Sequence, residues 1–232
     1  MKKIAMCSLF LAMLGSNVAN AETVTKVLDV RPFSKIELSG SSSVTIEKGN
    51  EQQVSVTIEH DYLPRVNTEV SGGELDLSVR EKGWFGGSAK GEFLIVTPNL
   101  EALEVSGSGK ASVSSVDTKE FVLELSGSGD INIGELNASR VRISLAGSGD
   151  IDISNLAALS MGVEIMGSGD IDVTGEVAKL RVEIMGSGDF NGQDLDTESV
   201  RGEIIGSGDI TVRTAGSSKF TSIGSGDGRV LQ

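Results

Sequence analysis

The chain has 232 residues, a formal charge of −13, 30 glycines, one cysteine, one histidine and 4% aromatic residues. A surface this acidic repels nucleic acid and anionic membranes. One histidine and one cysteine leave no usual zinc site, and the cysteine sits where no nucleophile would be placed.

Residues 1–21 read as a secretory signal. Lys2 and Lys3 precede an apolar run from Ile4 to Leu14, and Ala19-Asn20-Ala21 follows with small residues where cleavage needs them. The apolar run is too short to span a bilayer, and no second run of the required ~20 residues follows. Cys7 lies inside the signal behind Met6, too large for a lipoprotein cleavage site. The chain is therefore expected to be exported to the periplasm, the medium or the cell surface, with no lipid anchor and no membrane insertion. Without residues 1–21 the charge falls to −15, because two lysines and no acids are lost.

Residues 22–232 are read as one β-solenoid domain. Residues 22–35 lead in, with a turn at Pro32-Phe33. From Ile36 to Ile46, small or apolar residues alternate with polar ones, the period of a half-buried strand. Gly40 and Ser42 stand where later copies carry two glycines, so this segment reads as a first, degenerate rung. Residues 49–100 break the period. Strand-like runs at Val54 to Glu59, Val66 to Val70, Glu74 to Val79 and Glu92 to Val96 are separated by Gly-, Pro- and Asp-rich turns. They predict antiparallel hairpins covering the N-terminal end of a stack, since a bare end is an open edge. Trp84-Phe85 and His60 fall in those turns and read as hairpin packing and surface residues.

Residues 101–232 are governed by Gly-Ser-Gly-Asp, which recurs at Gly127, Gly147, Gly167, Gly186, Gly206 and Gly224; a copy at Gly107 ends in Lys110 instead of Asp. The steps between copies are 20, 20, 20, 19, 20 and 18 residues. Self-similarity at a period near twenty means stacked units. Parity along Val163 to Val173 puts Val163, Ile165, Gly167, Gly169, Ile171 and Val173 on one side and charged or polar residues on the other. The fold expected is all-β: a parallel solenoid with ~20-residue rungs, two or three short strands per rung, and rungs ~4.8 Å apart. Helix is disfavoured by the density of glycine. The glycine pairs Gly127/Gly129, Gly147/Gly149, Gly167/Gly169, Gly186/Gly188 and Gly206/Gly208 read as structural corners, facing inward where a wall bends and positive φ is needed.

Two features around the corners are candidates for function. Asp150, Asp152, Asp170 and Asp172 are the densest part of an Asp ladder and could hold Ca²⁺ between rungs, because Ca²⁺ takes several oxygen ligands. Turn chemistry alone also accounts for Asp beside Gly, and is the preferred reading. The residue before each glycine pair changes from Ser39, Ser106 and Ser126 through Ala146 to Met166, Met185, Ile205 and Ile223. If this stripe faces outward it is a contact surface for a partner or for another copy through the C-terminal rungs. If the wall bends there it packs inward, and the sequence leaves both open.

The run Arg31-Pro32-Phe33-Ser34-Lys35-Ile36-Glu37-Leu38-Ser39-Gly40, then Val44-Thr45-Ile46, then Leu94 to Gly109 with the repeated Gly-Ser-Gly-Asp-Ile, resembles the head GIN domain family of autotransporter adhesin heads. The resemblance runs from about Val30 to Asp227. It implies a right-handed, single-stranded β-solenoid exported from bacteria, and it carries no catalytic residues over. The function expected is a non-catalytic adhesin-like or scaffold module of the cell envelope. Its expected partners are a surface polysaccharide or an envelope protein, and no cofactor other than the Ca²⁺ considered above is expected. The alternatives are a glycan-active β-helix enzyme using Asp carboxylates, or a Ca²⁺-stabilised self-assembling protein. Uniform Asp positions look like architecture rather than the single carboxylate pair a sugar hydrolase needs.

Overall fold

The computed structural model describes residues 22–80 and 90–231. The signal reading and Trp84-Phe85 lie outside the described residues. In chain order the strands are β1 (Thr23–Leu28), β2 (Lys35–Gly40), β3 (Ser43–Lys48), β4 (Gln53–Glu59), β5 (Val66–Ser71), β6 (Glu74–Val79), β7 (Glu92–Thr97) and β8 (Ala102–Gly107). The long ones follow: β9 (Lys110–Gly127), β10 (Asp130–Gly147), β11 (Asp150–Gly167), β12 (Ile171–Gly186), β13 (Phe190–Gly206) and β14 (Ile210–Gly224), and then the short β15 (Gly228–Leu231). A 3-10 helix at His60–Arg65 occupies the Asp61-to-Pro64 turn.

From β9 to β15 each strand pairs in parallel with the next, one rung higher, so the chain winds as a right-handed parallel β-solenoid. Rungs are not divided into short strands as expected. β9, β10 and β11 are each 18 residues of continuous strand, and their ladder pairing lapses for only a residue or two at each corner, as at Gly134 and Ser139, before resuming. Pairing resumes because neighbouring rungs bend at equivalent residues.

The uneven repeat lengths are absorbed at two corners. Ile153 pairs with Val173, 20 residues on, whereas Leu156 pairs with Gly175, 19 on. The missing residue is taken up there, and Gly175 carries a φ of 122°. The shortened last rung adjusts between Gly192 and Asp196 and again between Thr197 and Ser199. The stripe and the corner glycines therefore stay in register from Ser106 to Gly224.

Inside, one ladder of apolar side chains per inward position fills a thin core, for example Leu125, Leu145, Ile165, Ile184 and Ile204, each 1% exposed or less. Burying each relative to leaving it exposed is worth about 1.5–3 kcal/mol. That term holds the rungs together without a disulfide.

The first degenerate rung is present: β2 lies beneath β8 and β3 beneath the start of β9. Gly40 pairs with Gly107, and Ser42 is buried at the position of the second glycine, where its Oγ accepts the Gly91 N–H at 3.1 Å. The four strand-like runs at 49–100 all form strands, but only some pair as hairpins. β6 and β7 run parallel to β2 and β3, making a further rung below the first. Antiparallel cover comes from β5 on β6, β4 on β7 and β1 on β4.

Candidate functional site

At each Gly-Ser-Gly corner the first glycine has positive φ, from 111° at Gly107 to 144° at Gly186. The second does not, yet it too must be glycine. A Cβ on Gly147 would run into the Gly127 carbonyl, and one on Gly149 into the Gly129 carbonyl. The positive φ expected at these corners is present at Gly127, Gly147, Gly167, Gly186 and Gly206 and not at Gly129, Gly149, Gly169, Gly188 and Gly208, whose reason to be glycine is the approach of the neighbouring rung. The second of each pair is buried, but the first is only half-buried. In both, the missing side chain would point along the stack at the previous rung's backbone. The intervening serine supplies the link: the N–H groups of Ser148, Ser168, Ser187 and Ser207 each donate to the first glycine carbonyl one rung back, at 2.8 Å.

The Asp ladder changes its bonding along the stack. The N–H groups of Asp130 and Asp150 donate to Gly109 and Gly129 carbonyls at 3.2 Å. From Asp170 on, the N–H turns to the carboxylate of the preceding Asp instead. Asp170 donates to Asp150 Oδ1 at 3.2 Å, Asp189 to Asp170 at 2.8 Å, Asp209 to Asp189 at 2.7 Å and Asp227 to Asp209 at 2.8 Å. Each carboxylate thus replaces a backbone acceptor lost at the corner, and such charge-assisted bonds are stronger than neutral ones. Both ends are closed. Lys110 Nζ sits 2.6 Å from Asp130 Oδ2, and the Gly228 N–H donates to Asp227 Oδ1 at 2.9 Å. The hydrogen bond to Asp130, and then its charge, hold the Lys110 ammonium above its usual range.

Asp152 and Asp172 pair across adjacent rungs, but each has a separate donor, Ser154 Oγ at 3.2 Å and Asn191 Nδ2 at 2.7 Å. Among the described residues no group of three or more His, Cys, Asp or Glu is arranged to hold a metal ion. From Asp150 to Asp209 the corner carboxylate is engaged by the N–H of the next rung rather than by its own turn, whereas Asp130 binds Lys110 of the rung before and Asp227 accepts from its own neighbour Gly228.

The stripe before the glycines faces solvent. Met166, Met185, Ile205 and Ile223 are 39%, 41%, 46% and 66% exposed and lie in register on four successive rungs. Two further outward rows run beside it. Next to it stand Ser144, Glu164, Glu183 and Glu203; beyond them stand Arg142, Gly162, Arg181, Arg201 and Lys219. On β12 and β13 this face carries an apolar, an acidic and a basic residue side by side, and the neighbouring rungs keep two or fewer of the three. Toward the N-terminus the acidic row continues as Glu124, Glu104 and Glu37. Burial, then Glu37, Glu124 and Glu74, raise the Glu104 carboxyl above the ordinary carboxylate range. Among the described residues no helix is long and apolar enough to cross a membrane. Sequence reasoning found the stripe; the flanking rows escaped it because they emerge only once the rungs are aligned.

Solved structures share this fold. A putative lipid binding protein from Parabacteroides distasonis is 22% identical, with a TM-score of 0.79, over 92% of this chain and 98% of its own. A putative adhesin from Bacteroides fragilis is 17% identical with a TM-score of 0.81, covering 90% and 97%. Another from Parabacteroides distasonis is 20% identical with a TM-score of 0.81, covering 91% and 98%. No curated protein matches the chain. The family profile described as "Putative auto-transporter adhesin, head GIN domain" matches residues 32–231, and the chain belongs to that family.

Proposed function

We propose that the protein is an exported, non-catalytic adhesin-like module of the cell envelope. Its contact surface is the flat face bearing the Met166, Met185, Ile205 and Ile223 stripe, and its ligand is a surface polysaccharide or an envelope protein. The observation that carries this reading is the stripe itself: four large apolar residues exposed in one continuous row on an otherwise polar wall. Contiguous exposed apolar surface marks a contact site. Repetition along the stack adds to it, because weak contacts to a repeating ligand multiply into avidity when several rungs engage together. Family membership supports a binding role, and the Asp ladder, engaged in linking rungs, supports a non-catalytic one.

The test is adhesion of protein-coated beads to immobilised envelope polysaccharides and envelope proteins. Replacing all four stripe residues by Ser should weaken capture at least tenfold, with the circular dichroism spectrum unchanged. Equal capture by the variant would overturn the reading. A second copy is the alternative occupant, favoured by Ile223 being most exposed on the last long rung. A wild-type dimer in light scattering that the Ser variant dissolves would assign the stripe to self-assembly.

A further inference from the structure

Gly162 has no structural reason to be glycine. A glycine inside a strand weakens it and marks a bulge, a tight bend, or a place where a backbone or a ligand comes close. Gly162 pairs regularly with Arg142 below and Arg181 above, so it is not a bulge. Its φ is not positive. A Cβ built on it meets nothing within 4 Å. Among the described glycines it alone combines an ordinary φ with open space. Close approach of a ligand is the cause that remains.

Gly162 interrupts the basic row, and the missing side chain opens a depression of about 340 Å³ between Arg142 and Arg181. Those two strands are two spacings apart, ~9.6 Å. Both guanidiniums are steadied from the side. Arg181 Nε donates to Glu183 Oε1 at 2.8 Å, and Arg142 Nη2 lies 3.9 Å from Glu120 Oε2. Each keeps further N–H donors free for a ligand, since a guanidinium has five. The neighbouring row supplies acceptors, Glu164 and Glu183, with Ser144 and Glu124 at the rim.

Carboxylates outnumber guanidiniums around the depression, on a chain already at −13, which disfavours an anionic ligand. A bare cation would meet two arginines. A neutral group bearing several hydroxyls fits, because each hydroxyl both donates and accepts. We propose that the Gly162 depression is a subsite for a neutral hexose unit of a polysaccharide, with Arg142 and Arg181 donating to its hydroxyls and Glu164 and Ser144 accepting from them. This rests on the reading of the same face as the contact surface; Met166 stands two outward rows away on the same strand.

The experiment is a titration of the ¹⁵N-labelled protein with maltohexaose, cellohexaose and mannohexaose, with oligogalacturonate as the anionic control. At least one neutral oligomer should shift the Gly162 amide and Arg181 Nε–H signals saturably, and oligogalacturonate should not. Gly162→Arg, which refills the row in the manner of its neighbours, should weaken that binding at least tenfold without lowering Tm. Undiminished binding by Gly162→Arg, or no shift at Gly162 with any neutral oligomer, overturns the subsite. Tighter binding of oligogalacturonate overturns the ligand class. If the stripe variant loses envelope capture while the neutral oligomers leave Gly162 unmoved, the subsite fails and the role of the face stands.

Discussion

The two ends of the stack are closed by different means. At the N-terminal end backbone does the work: β6 and β7 add a rung, and β5, β4 and β1 lie antiparallel across it. At the C-terminal end the change is in side chains. The inward positions Val200, Gly202 and Ile204 of β13 are followed in β14 by Ser218, Phe220 and Ser222. A Cβ on Gly202 would meet the Phe220 ring, so Gly202 makes the space that Phe220 fills. Ser222 Oγ donates to the Gly226 carbonyl at 2.7 Å. β15 pairs only with Ile210 to Arg213, which leaves the rest of the β14 edge uncovered among the described residues. Lys219 stands on that stretch, and a lysine on an edge discourages pairing with another chain. Closing an end with backbone lengthens the chain; closing it with side chains is shorter but leaves an edge that must be defended.

Substitutions at the corners should do the most damage to the stack. Gly149→Val, in mid-stack, drives a side chain into the Gly129 carbonyl and should cost more than about 4 kcal/mol, with hydrogen-exchange protection lost across β10 and β11. Gly226→Val makes the same clash with Gly208, but only the last strands should lose protection. Equal, global losses would show that the two ends are not separable from the middle. Phe220→Ala should cost about 2 kcal/mol in urea unfolding, less than a fully buried Phe because Phe220 is half-buried. An unchanged midpoint would deny Phe220 its closing role. Ser218→Val with Ser222→Ile makes the end apolar, so light scattering should show association that the wild type lacks.

A gentler test sits where the N-terminal rungs meet the stack. Glu104 has a raised carboxyl, so between its ordinary value of 4.5 and its raised value the folded chain holds a proton that the unfolded chain has released. Folding therefore weakens as pH rises through that window, and no penalty exists below it. Glu104→Gln should stabilise the protein at pH 7 by less than about 1 kcal/mol, discounted because the group is largely solvated, and should not stabilise it at pH 4. Urea melts at the two pH values check this, and an equal effect at both would refute it. The smallest expected effect is that of Ca²⁺ against chelator. The carboxylates of Asp150, Asp152, Asp170 and Asp172 already have donors, so Tm should not move; a Ca²⁺-dependent rise would restore the ion-bridged reading.

The solenoid was legible because parity and period are local. Ile165 and Ile184 announce an inward face, whereas the direction of Met166 and Met185 stays open until the corner geometry is known. The reason for the corner glycines was not, since the clash at Gly149 involves a carbonyl 20 residues away. The same holds for Asp170, whose carboxylate serves the amide of Asp189. β6 and β7 were found as strands, but their parallel partners β2 and β3 lie too far along the chain for turn signals to reveal. Gly162 passed unnoticed because its distinguishing mark is empty space.

The serine and aspartate links between rungs have a mechanical consequence. They run along the stack axis, in parallel with the ladder bonds, so tension along that axis is shared by every bond joining two rungs at once. A pull that peels β15 and then β14 away from the side would instead load those bonds one after another. A stack built this way would resist tension along its length far better than peeling from its C-terminal end.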